Sequence, residues 1–415
     1  MEDIRLIPHL FRHESGRIIS ALTNYWGIQY LEDAEDITSD TFLKAMEHWP
    51  YHGIPENPAG WLHRVARNLA HTYYRRNRLF QDKIVRDLGM GSTQEVPEIV
   101  FDPQKIVDGQ LQMLFRICST DLTPAHQIAL SLRILCGFGI EEIATALLAS
   151  RDTINKRLYR AKEKLRRSAD FAMTISMDKG KSIDSVLRTL YLLYNEGYYS
   201  ESNDQILRKD LCREALYLTH LLLEDPSTCR PDVYALLALM SFHASRFNTR
   251  INQMGEMVLY EKQDPQQWEE KLIDQGVYFL HQSAQGDHLT SYHLEANIAY
   301  HYTRKEEHVD KWKSILELYD LLLKINNSPV IALNRIFAFS KVFGDLRAIE
   351  ELGKIDVIPN QYFFLLKGVL YREIDHDKAM VFFLKAIAVT HSERERQFIR
   401  SQYLVDEAIS FLYWH

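Results

Sequence analysis

The stretch Gly139 to Arg167, GIEEIATALLASRDTINKRLYRAKEKLRR, constrains the fold of this chain more than any other segment. Its apolar residues recur at the spacing of one helical face, in two successive runs. Between the runs, Ser150 or Asp152 offers a short side-chain oxygen that can cap the start of a second helix. The pattern therefore predicts two helices joined by a tight turn. The two apolar stripes are Ile140, Ile143, Ala144 and Leu147, then Ile154, Leu158, Ala161 and Leu165.

The second of these predicted helices is strongly basic, because it carries eight cations against the two acids Asp152 and Glu163. Two short helices, of which the second is far more basic, are typical of a helix-turn-helix motif whose second helix enters the major groove of DNA. The plain alternative is a solvated basic helix on an ordinary bundle. The cations are Arg151, Lys156, Arg157, Arg160, Lys162, Lys164, Arg166 and Arg167.

The composition bounds the class of protein. A chain of 415 residues is too long for one helical domain of usual size, so two or three domains are expected. The net charge is −7, so a nucleic-acid site has to arise from local clustering of cations. Glycine and proline are sparse and few segments alternate with period two, which predicts an all-α fold.

Several kinds of chemistry have no sequence signal. The four cysteines are far apart and include no CxxC pair, which argues against a zinc site and a disulfide framework. We find no phosphate-binding loop, GxSxG motif or dinucleotide fingerprint, so we expect neither an enzyme nor a cofactor. Neither a signal-peptide pattern nor an apolar segment of membrane-spanning length is present, so we expect a cytoplasmic protein without a membrane partner. Five histidines lack the converging spacing of metal ligands, so no metal is expected. They are His281, His288, His293, His301 and His308.

The segment Asp33 to Trp49, DAEDITSDTFLKAMEHW, is predicted to be a helix with two different faces. One face is an apolar stripe that is suited to a core. The opposite face is acidic and includes one leucine, so it is either solvated or a surface for a partner. The stripe comprises Ala34, Ile37, Thr41, Phe42, Ala45 and Trp49, and the opposite face comprises Asp36, Asp40, Leu43 and Glu47.

The segment Trp61 to Arg78, WLHRVARNLAHTYYRRNR, combines arginines with aromatic side chains and contains no acid. Bases stack on aromatic rings and phosphates follow cations, so this combination is suited to single-stranded or melted nucleic acid. The alternative is a basic helix end beside a core tryptophan, and for Trp61 both interpretations stand. Residues 81–104 then carry two basic and five acidic residues with glycine, serine and proline, which predicts a linker. That linker is either a flexible tether or a segment that lies in a cationic channel.

The order of these motifs resembles a bacterial RNA polymerase sigma factor of the extracytoplasmic-function type, in the sigma-70 superfamily. Residues 1–80, with DAEDITSDTFLKA and NPAGWLHRVARNLAHTYYRR, resemble sigma region 2. Residues 105–170, with LTPAHQIALSLR and the helix-turn-helix, resemble sigma region 4. The resemblance implies a helical bundle for region 2 and core RNA polymerase and promoter DNA as partners.

The resemblance also implies roles for individual residues. The polymerase clamp would bind Asp36, Asp40, Leu43 and Glu47. Region 2 would hold open the minus-ten promoter element, with flipped bases in a pocket near the loop Tyr51 to Gly60. Region 4 would read the minus-thirty-five element. The DNA contacts expected in region 2 are Trp61, Arg64, Arg67, Asn68, His71, Tyr74, Arg75 and Arg76. Those expected in region 4 are Arg151, Thr153, Asn155, Lys156, Arg157, Arg160 and Lys164.

Residues 171–415 lie beyond a minimal sigma factor. The segment VLRTLYLLYNEGYYSES resembles the start of a tetratricopeptide-like extension found in a subgroup of these sigma factors, and Gly197 is predicted to end its helix. Helix pairs of this kind stack and offer a concave binding face, so we expect the extension to modulate activity through a protein partner or an intramolecular contact. Six residues follow the repeat pattern independently. They are Phe364, Gly368, Tyr371, Ala379, Phe383 and Ala386.

The alternative function is a helix-turn-helix transcriptional regulator with a solenoid sensor, which would bind DNA without being a polymerase subunit. A further alternative is an interaction scaffold in which residues 171–415 are the main functional part. The acidic helix at Asp33 to Trp49 argues against a simple regulator, because such a protein has no use for a polymerase-binding surface.

Overall fold

The computed structural model describes residues 3–87, 103–119, 122–147, 149–172, 179–198, 209–250, 258–304, 308–355, 359–390 and 393–404. Within these ranges every regular element is a helix, so the predicted all-α class is confirmed. The chain forms two compact units, Met1–Leu193 (unit 1) and Tyr194–His415 (unit 2). The predicted linker 81–104 falls largely on residues 88–102, which lie outside the described ranges.

Unit 1 contains seven complete α-helices and the first part of an eighth within its described residues. The boundary between the two units falls inside that eighth helix, α8. The helices are α1 (Asp3–Trp26), α2 (Leu31–His52), α3 (Pro58–Asp87), α4 (Pro103–Ser119), α5 (Pro124–Ile134), α6 (Ile140–Ala146), α7 (Arg151–Ala172) and α8 (Lys179–Tyr198), with a short 3-10 helix at Ile28–Tyr30.

The loop between α2 and α3 is set by local chemistry. Helix α2 ends at His52 and is followed by Gly53, whose φ of 78° favours a residue without a Cβ atom. Helix α3 begins at Pro58, where the fixed φ of proline suits the first helical turn. The Asn57 side-chain oxygen accepts a hydrogen bond from the backbone N–H of Gly60 at 2.8 Å. Helix α3 continues to Asp87, past the predicted end of the first domain at residue 80, because no glycine or proline interrupts it before Gly89.

The helix-turn-helix forms as α6 and α7, and its capping groups are now identified. The Glu142 carboxylate accepts a hydrogen bond from the backbone N–H of Gly139 at 2.8 Å, which caps α6. The Ser150 hydroxyl accepts from the backbone N–H of Thr153 at 3.2 Å, so Ser150 and not Asp152 caps α7. The predicted apolar stripe of α7 is buried, with Ile154 and Ala161 at 0% exposure. This burial fixes which side of α7 faces outward.

Helix α1 joins the two parts of unit 1, because it packs against α4 and α5 as well as against α2 and α3. A Cβ atom built on Gly16 of α1 would lie 2.1 Å from the carbonyl oxygen of Leu135, at the end of α5. A Cβ atom on Gly109 of α4 would lie 3.0 Å from the carbonyl oxygen of Ser20. Glycine at these positions therefore permits backbones to approach more closely than any side chain would allow.

The first part of α8 belongs to the core of unit 1. Ile183, Val186 and Leu190 are 0% exposed. The Thr189 hydroxyl donates to the Gln127 side-chain oxygen at 3.3 Å, and the Cys118 thiol donates to Thr189 at 3.5 Å. Burial raises the pKa of the Cys118 thiol to about 12, although the Thr189 bond opposes the shift. This thiol therefore stays protonated and unreactive at neutral pH.

Unit 2 is built from paired helices. Its helices, after the end of α8, are α9 (Lys209–Leu221), α10 (Pro231–Ser245), α11 (Glu270–Ser283), α12 (Ser291–Thr303), α13 (Val309–Ile325), α14 (Pro329–Phe343), α15 (Asp345–Leu352), α16 (Gln361–Tyr371), α17 (His376–Val389) and α18 (Glu393–Tyr403), with 3-10 helices at Tyr260–Lys262 and Pro265–Gln267.

A glycine facing a phenylalanine recurs in two of these helix pairs. A Cβ atom on Gly276 of α11 would lie 2.6 Å from the Phe242 ring of α10. A Cβ atom on Gly368 of α16 would lie 2.3 Å from the Phe383 ring of α17. Each glycine lets a large ring pack directly against the partner backbone. The second contact explains Gly368 and Phe383, which are two of the six residues predicted to follow the repeat pattern. The repeat character of the whole extension stays a prediction.

The NEGY segment differs from its predicted geometry. Helix α8 continues to Tyr198, so Gly197 is a buried helical residue and does not end the helix. The helix continues because Tyr194 and Tyr198 are both buried in unit 2. The Tyr194 hydroxyl donates to the carbonyl oxygen of Met240 at 2.8 Å, and Tyr198 lies 3.0 Å from Nδ1 of His243.

Candidate nucleic-acid interface

The predicted acidic face of α2 is exposed. Asp36, Asp40 and Glu47 are exposed carboxylates, and the Leu43 side chain between them is 52% exposed. The opposite stripe is buried, with Ala34 and Ala45 at 0% exposure. Met46, which was not predicted to belong to this face, lies beside Leu43 and is 56% exposed. The face therefore joins carboxylates to two exposed apolar side chains, a composition suited to a protein partner.

Trp61, at the start of α3, combines the two roles that the sequence left open. Its ring is half-buried and packs edge-on against Trp49, with 5.4 Å between the ring centroids. Its other neighbour is His48, at 5.6 Å, and His48 stacks on His52 at 4.0 Å. Trp61 thus anchors α3 on α2 and still presents part of its ring to a cavity.

That cavity, of about 400 Å³, lies between the C-terminal half of α2 and the first half of α3. It brings together Glu47, predicted for polymerase, and Trp61 and Asn68, predicted for DNA. His48 and His52 were not predicted as site residues. The one signal in the sequence is their one-turn spacing on α2, which indicates that they share a face of the helix but not what that face contacts. Its lining residues are Lys44, Glu47, His48, His52, Trp61, Val65, Asn68, Leu69 and Thr72.

The remaining predicted residues of α3 divide by exposure. Arg64, Asn68 and Arg75 are exposed, whereas Arg67, His71 and Tyr74 are half-buried. The side chain of Arg76 lies outside the described set. The cations of α3 therefore occupy its outer side, where phosphates can reach them.

Two polar contacts fix the orientation of α3. The Tyr73 hydroxyl donates to the Asp33 carboxylate of α2. His63 lies 2.9 Å from a carboxylate oxygen of Glu14 on α1. Burial raises the pKa of Glu14, but the hydrogen bond from His63 and the charges of Arg17 and His63 outweigh it and leave the pKa below its ordinary value. Glu14 is therefore an ionised, nearly buried anchor for α3.

The predicted recognition helix α7 presents its N-terminal half outward. Arg151, Asn155 and Lys156 are exposed, and so is Arg160. Arg151 forms an ion pair with Glu141 of α6 at 2.8 Å, in which both side chains are about two-thirds exposed, so a nucleic acid can displace it. The other predicted residues are Thr153 and Arg157, which are half-buried, and Lys164, which is exposed.

The cations of α7 create a positive potential that reaches the neighbouring helix α5. His126 of α5 has its pKa lowered by burial first and then by the charges of Arg157, Arg160 and Lys164. The part of this shift that the three cations cause reflects a positive potential, which favours an anion. Clustered cations of this kind are suited to contacts with phosphates.

The C-terminal half of α7 contacts α2. Lys162 of α7 forms an ion pair with Glu35 of α2 at 2.5 Å, and Arg133 of α5 approaches the same carboxylate at 3.5 Å. Arg166 forms a second pair with Glu32 of α2 at 2.9 Å. No sequence pattern predicts these contacts, since the partners lie 98, 127 and 134 positions apart.

In the part of the chain that the structure describes, no group of three or more histidine, cysteine, aspartate or glutamate side chains converges as metal ligands would. None of the described helices combines the length and apolar character that crossing a membrane requires.

Comparisons with known proteins assign three parts of the chain. Residues 10–80 match the family model for sigma-70 region 2, and residues 118–165 match that for sigma-70 region 4. Residues 182–284 match a family of unknown function (DUF6596). No solved structure matches the chain significantly. Sigma-70 regions do not belong to enzymes, so the prediction that the chain is not an enzyme is confirmed.

Curated relatives agree with this division. An uncharacterised protein of Rhizobium meliloti is 30% identical over 395 residues, which cover 92% of each chain. The ECF RNA polymerase sigma factor BldN of Streptomyces coelicolor is 28% identical over 34% of this chain and 53% of its own length. The RNA polymerase sigma factor YlaC of Bacillus subtilis is 27% identical over 39% of this chain and 91% of its own length.

The two sigma regions follow each other in one chain, and the basic faces of α3 and α7 and the acidic face of α2 lie within them. The chain therefore belongs to the sigma-70 family as a sigma factor of the extracytoplasmic-function type, which acts with core RNA polymerase on promoter DNA in transcription initiation and carries a DUF6596 extension after region 4.

Proposed function

We propose that unit 1 divides the work of initiation among α2, α3 and α7. The exposed face of α2, with Asp36, Asp40, Leu43 and Glu47, binds the polymerase clamp. The observation that carries this proposal is the cavity between α2 and α3, because Glu47 and Trp61 line it together. A strand that enters the cavity is held beside the polymerase-binding helix, where melted DNA must be kept during initiation.

Helix α3 and the cavity take the melted minus-ten element. Trp61, His48 and His52 supply ring faces on which a base can stack, while Asn68 and Thr72 supply hydrogen-bonding groups. Flipping a base costs a few kcal/mol of lost stacking, which these contacts offset. The exposed cations of α3, including Arg64 and Arg75, follow the phosphates of the same strand.

Helix α7 reads the minus-thirty-five element in the major groove. Its exposed N-terminal residues Arg151, Asn155 and Lys156 are placed for base edges, whereas Arg160 and Lys164 are placed for phosphates. Burial, and then the charges of Arg157, Arg160 and Lys164, lower the pKa of His126, and the positive potential of these three cations supports the phosphate assignment.

The extension modulates this activity from unit 2, as a tetratricopeptide-like array of helix pairs. The glycine and phenylalanine contacts in two of its helix pairs, Gly276 with Phe242 and Gly368 with Phe383, support this proposal. A further support is α8, which contributes to the cores of both units. We expect the extension to be needed for transcription and the protein to act in the cytoplasm.

The test of this function separates a sigma factor from a plain helix-turn-helix regulator. Binding of the purified chain to promoter duplexes is measured by fluorescence anisotropy, with and without core RNA polymerase. We expect weak binding with little sequence preference by the free protein and strong, promoter-specific binding after core enzyme is added. Tight, specific binding by the free protein would favour the regulator.

A further inference from the structure

Asp152 is an exposed carboxylate in the first turn of the recognition helix α7. Ser150 caps this helix, so Asp152 is not needed for that task. Within the described residues Asp152 forms no hydrogen bond or ion pair. Glu163, an acid further along α7, differs in this respect, because it pairs with Arg166 and Arg167 at 3.0 and 3.2 Å. The carboxylate of Asp152 is therefore available to a ligand.

Asp152 lies on the outermost stripe of α7. Asp152, Lys156 and Tyr159 recur at intervals of four and three residues, so they share one face of the helix, and all three are exposed. This face lies opposite the buried stripe that begins with Ile154. The three residues span about 10 Å along the helix axis, which corresponds to about three base pairs of DNA. When α7 enters a major groove, this is the stripe that faces the base edges.

An acid on this stripe works against the binding of DNA in general. Its carboxylate is repelled by the phosphates that the neighbouring exposed cations, Arg151 and Lys156, attract. A repulsive group of this kind adds specificity when it rejects the wrong bases more strongly than the right one. The right base for Asp152 has to present a hydrogen-bond donor, because an ionised carboxylate only accepts hydrogen bonds.

Cytosine is the base whose major-groove edge suits a carboxylate best. Guanine presents N7 and O6 and thymine presents O4, which are acceptors and repel it. Adenine presents its N6 amino donor directly beside the N7 acceptor. Cytosine presents its N4 amino donor and no acceptor of its own. A carboxylate that reaches the base edges therefore favours cytosine and rejects guanine and thymine most strongly.

We propose that Asp152 is a specificity-determining residue of α7, which accepts a hydrogen bond from the N4 amino group of one cytosine in the upstream promoter element. This inference rests on the proposed function of α7 and extends it, because it names the base and the contacting atom. The cations of α7 supply affinity, whereas Asp152 discriminates by repelling the other bases. Removal of its carboxylate should therefore broaden the set of bound sequences without weakening binding in general.

The first measurement compares the base preferences of two holoenzymes. The full chain, as wild type or Asp152→Ala, is combined with core RNA polymerase, and binding to promoters randomised in the upstream element is measured by sequencing the bound fraction. We expect the wild type to favour cytosine at one position by about fivefold or more, the lower end for a good contact to a base. Asp152→Ala should lose this preference, because it binds sites with guanine or thymine there more tightly than the wild type does.

Glu141→Gln is the matched control for the loss of a nearby negative charge. Glu141 is exposed on α6 and pairs with Arg151, so its replacement can change the overall affinity for DNA. It lies outside the stripe that contains Asp152, so the cytosine preference should remain as in the wild type.

Thermal melting verifies that each variant is folded and separates the proposed contact from a structural role. An acid in the first turn of a helix stabilises the helix through its dipole. If that were the whole role of Asp152, Asp152→Ala would lower the melting temperature and weaken binding to all sequences alike, with the base preferences unchanged.

The second measurement tests the hydrogen bond itself. The cytosine identified by the first measurement is replaced by pyrimidin-2-one, which pairs with guanine but lacks the 4-amino group. We expect this replacement to cost the wild-type holoenzyme about fivefold more affinity than it costs the Asp152→Ala holoenzyme. The comparison cancels any effect of the altered base on the duplex, as in a double-mutant cycle.

The inference is overturned if the wild type favours cytosine at no upstream position, if Asp152→Ala keeps the preference, or if pyrimidin-2-one weakens binding by both proteins equally. Promoter-specific binding by the wild type, and with it the proposed function, can stand in each of these cases. The absence of any base preference in the upstream element with the wild-type holoenzyme would instead remove the function proposed for α7.

Discussion

We expect single side chains on α7 to divide into those that contact base edges and those that contact phosphates. Changing Lys156 to Ala should cost about 1–3 kcal/mol at its preferred base and relax the preference at one or two upstream positions. Changing Lys164 to Ala should weaken binding to all sequences alike and reduce the salt slope by about one. Holoenzyme binding to a promoter library at several salt concentrations measures both effects. Identical behaviour of the two variants would contradict the assignment of the helix faces.

The anchor between Glu14 and His63 should make unit 1 sensitive to acid. Because the folded pKa of Glu14 lies below its ordinary value, the stabilisation is fully present above about pH 4.3 and is lost as the pH falls through the folded pKa. Glu14→Gln should therefore lower stability at pH 6 and flatten the decline below about pH 4.3. Urea unfolding of the full chain between pH 3 and pH 6 measures this.

The exposed Glu56, in the loop after α2, supplies the matched control for that experiment. Glu56→Gln should leave the pH dependence as in the wild type. The same decline in Glu14→Gln as in the wild type would show that another group carries the acid sensitivity.

His243 of α10 should give unit 2 its own pH dependence. Burial, and then the charges of Arg246 and Arg250, hold the pKa of His243 well below its ordinary value. The unfolded chain takes up a proton near pH 6.5 that the folded unit does not, so stability falls as the pH decreases from there toward the folded pKa. His243→Gln should flatten this slope in urea unfolding between pH 5 and pH 7.5. His281→Gln, at an exposed position on α11, should not, and an equal effect of both would refute the assignment.

Helix α8 should stabilise the region 4 part of unit 1 although it lies within the DUF6596 match. Leu190 is 0% exposed, and the neighbouring Thr189 is hydrogen-bonded to Gln127 of α5. Leu190→Ala should therefore cost about 2–5 kcal/mol of stability, as buried truncations do. Thermal unfolding measures it, with Arg188→Ala, at an exposed position two residues away on the same helix, as the control. Equal melting temperatures for the two variants would show that α8 does not brace region 4.

The periodicity of apolar residues predicted most of the helices, because the buried face of a helix appears in the sequence as apolar residues at intervals of three and four positions. It placed Asp33–Trp49 inside α2 and the second basic helix as α7. It did not find the closeness of Gly16 to Leu135 or the pairing of Glu35 with Lys162, since both join positions more than 100 residues apart. The sequence pattern also predicted that the helix ends at Gly197, because a glycine that follows a periodic apolar stretch commonly ends a helix. The burial of Tyr198, the next residue, favours continuation of the helix instead.

The candidate site was predictable to a similar extent. Residue type and helical periodicity predicted the cations of α3 and α7 and the acidic face of α2 as candidate contacts, and the structure shows which of these side chains are exposed. His48 and His52 were not predicted, because the cavity forms only where α2 and α3 pack together. The spacing of residues within one helix does not predict that packing. For the same reason, the sequence did not decide between core packing and base contact for Trp61. Its ring contacts Trp49 on another helix and also lines the cavity.

For the molecule as a whole, we propose that the acidic face of α2 binds core polymerase and thereby brings it to the promoter. The direct measurement is run-off transcription from a genomic fragment library with core polymerase, comparing the wild type with Asp40→Ala/Leu43→Ala. Because both changed side chains are exposed, the fold should remain intact. We predict initiation at defined promoters with the wild type and its loss in the variant, together with loss of core binding. Unchanged promoter-specific transcription in the variant would show that this face of α2 does not bind core polymerase, and no transcription with the folded wild type would show that the chain does not direct initiation.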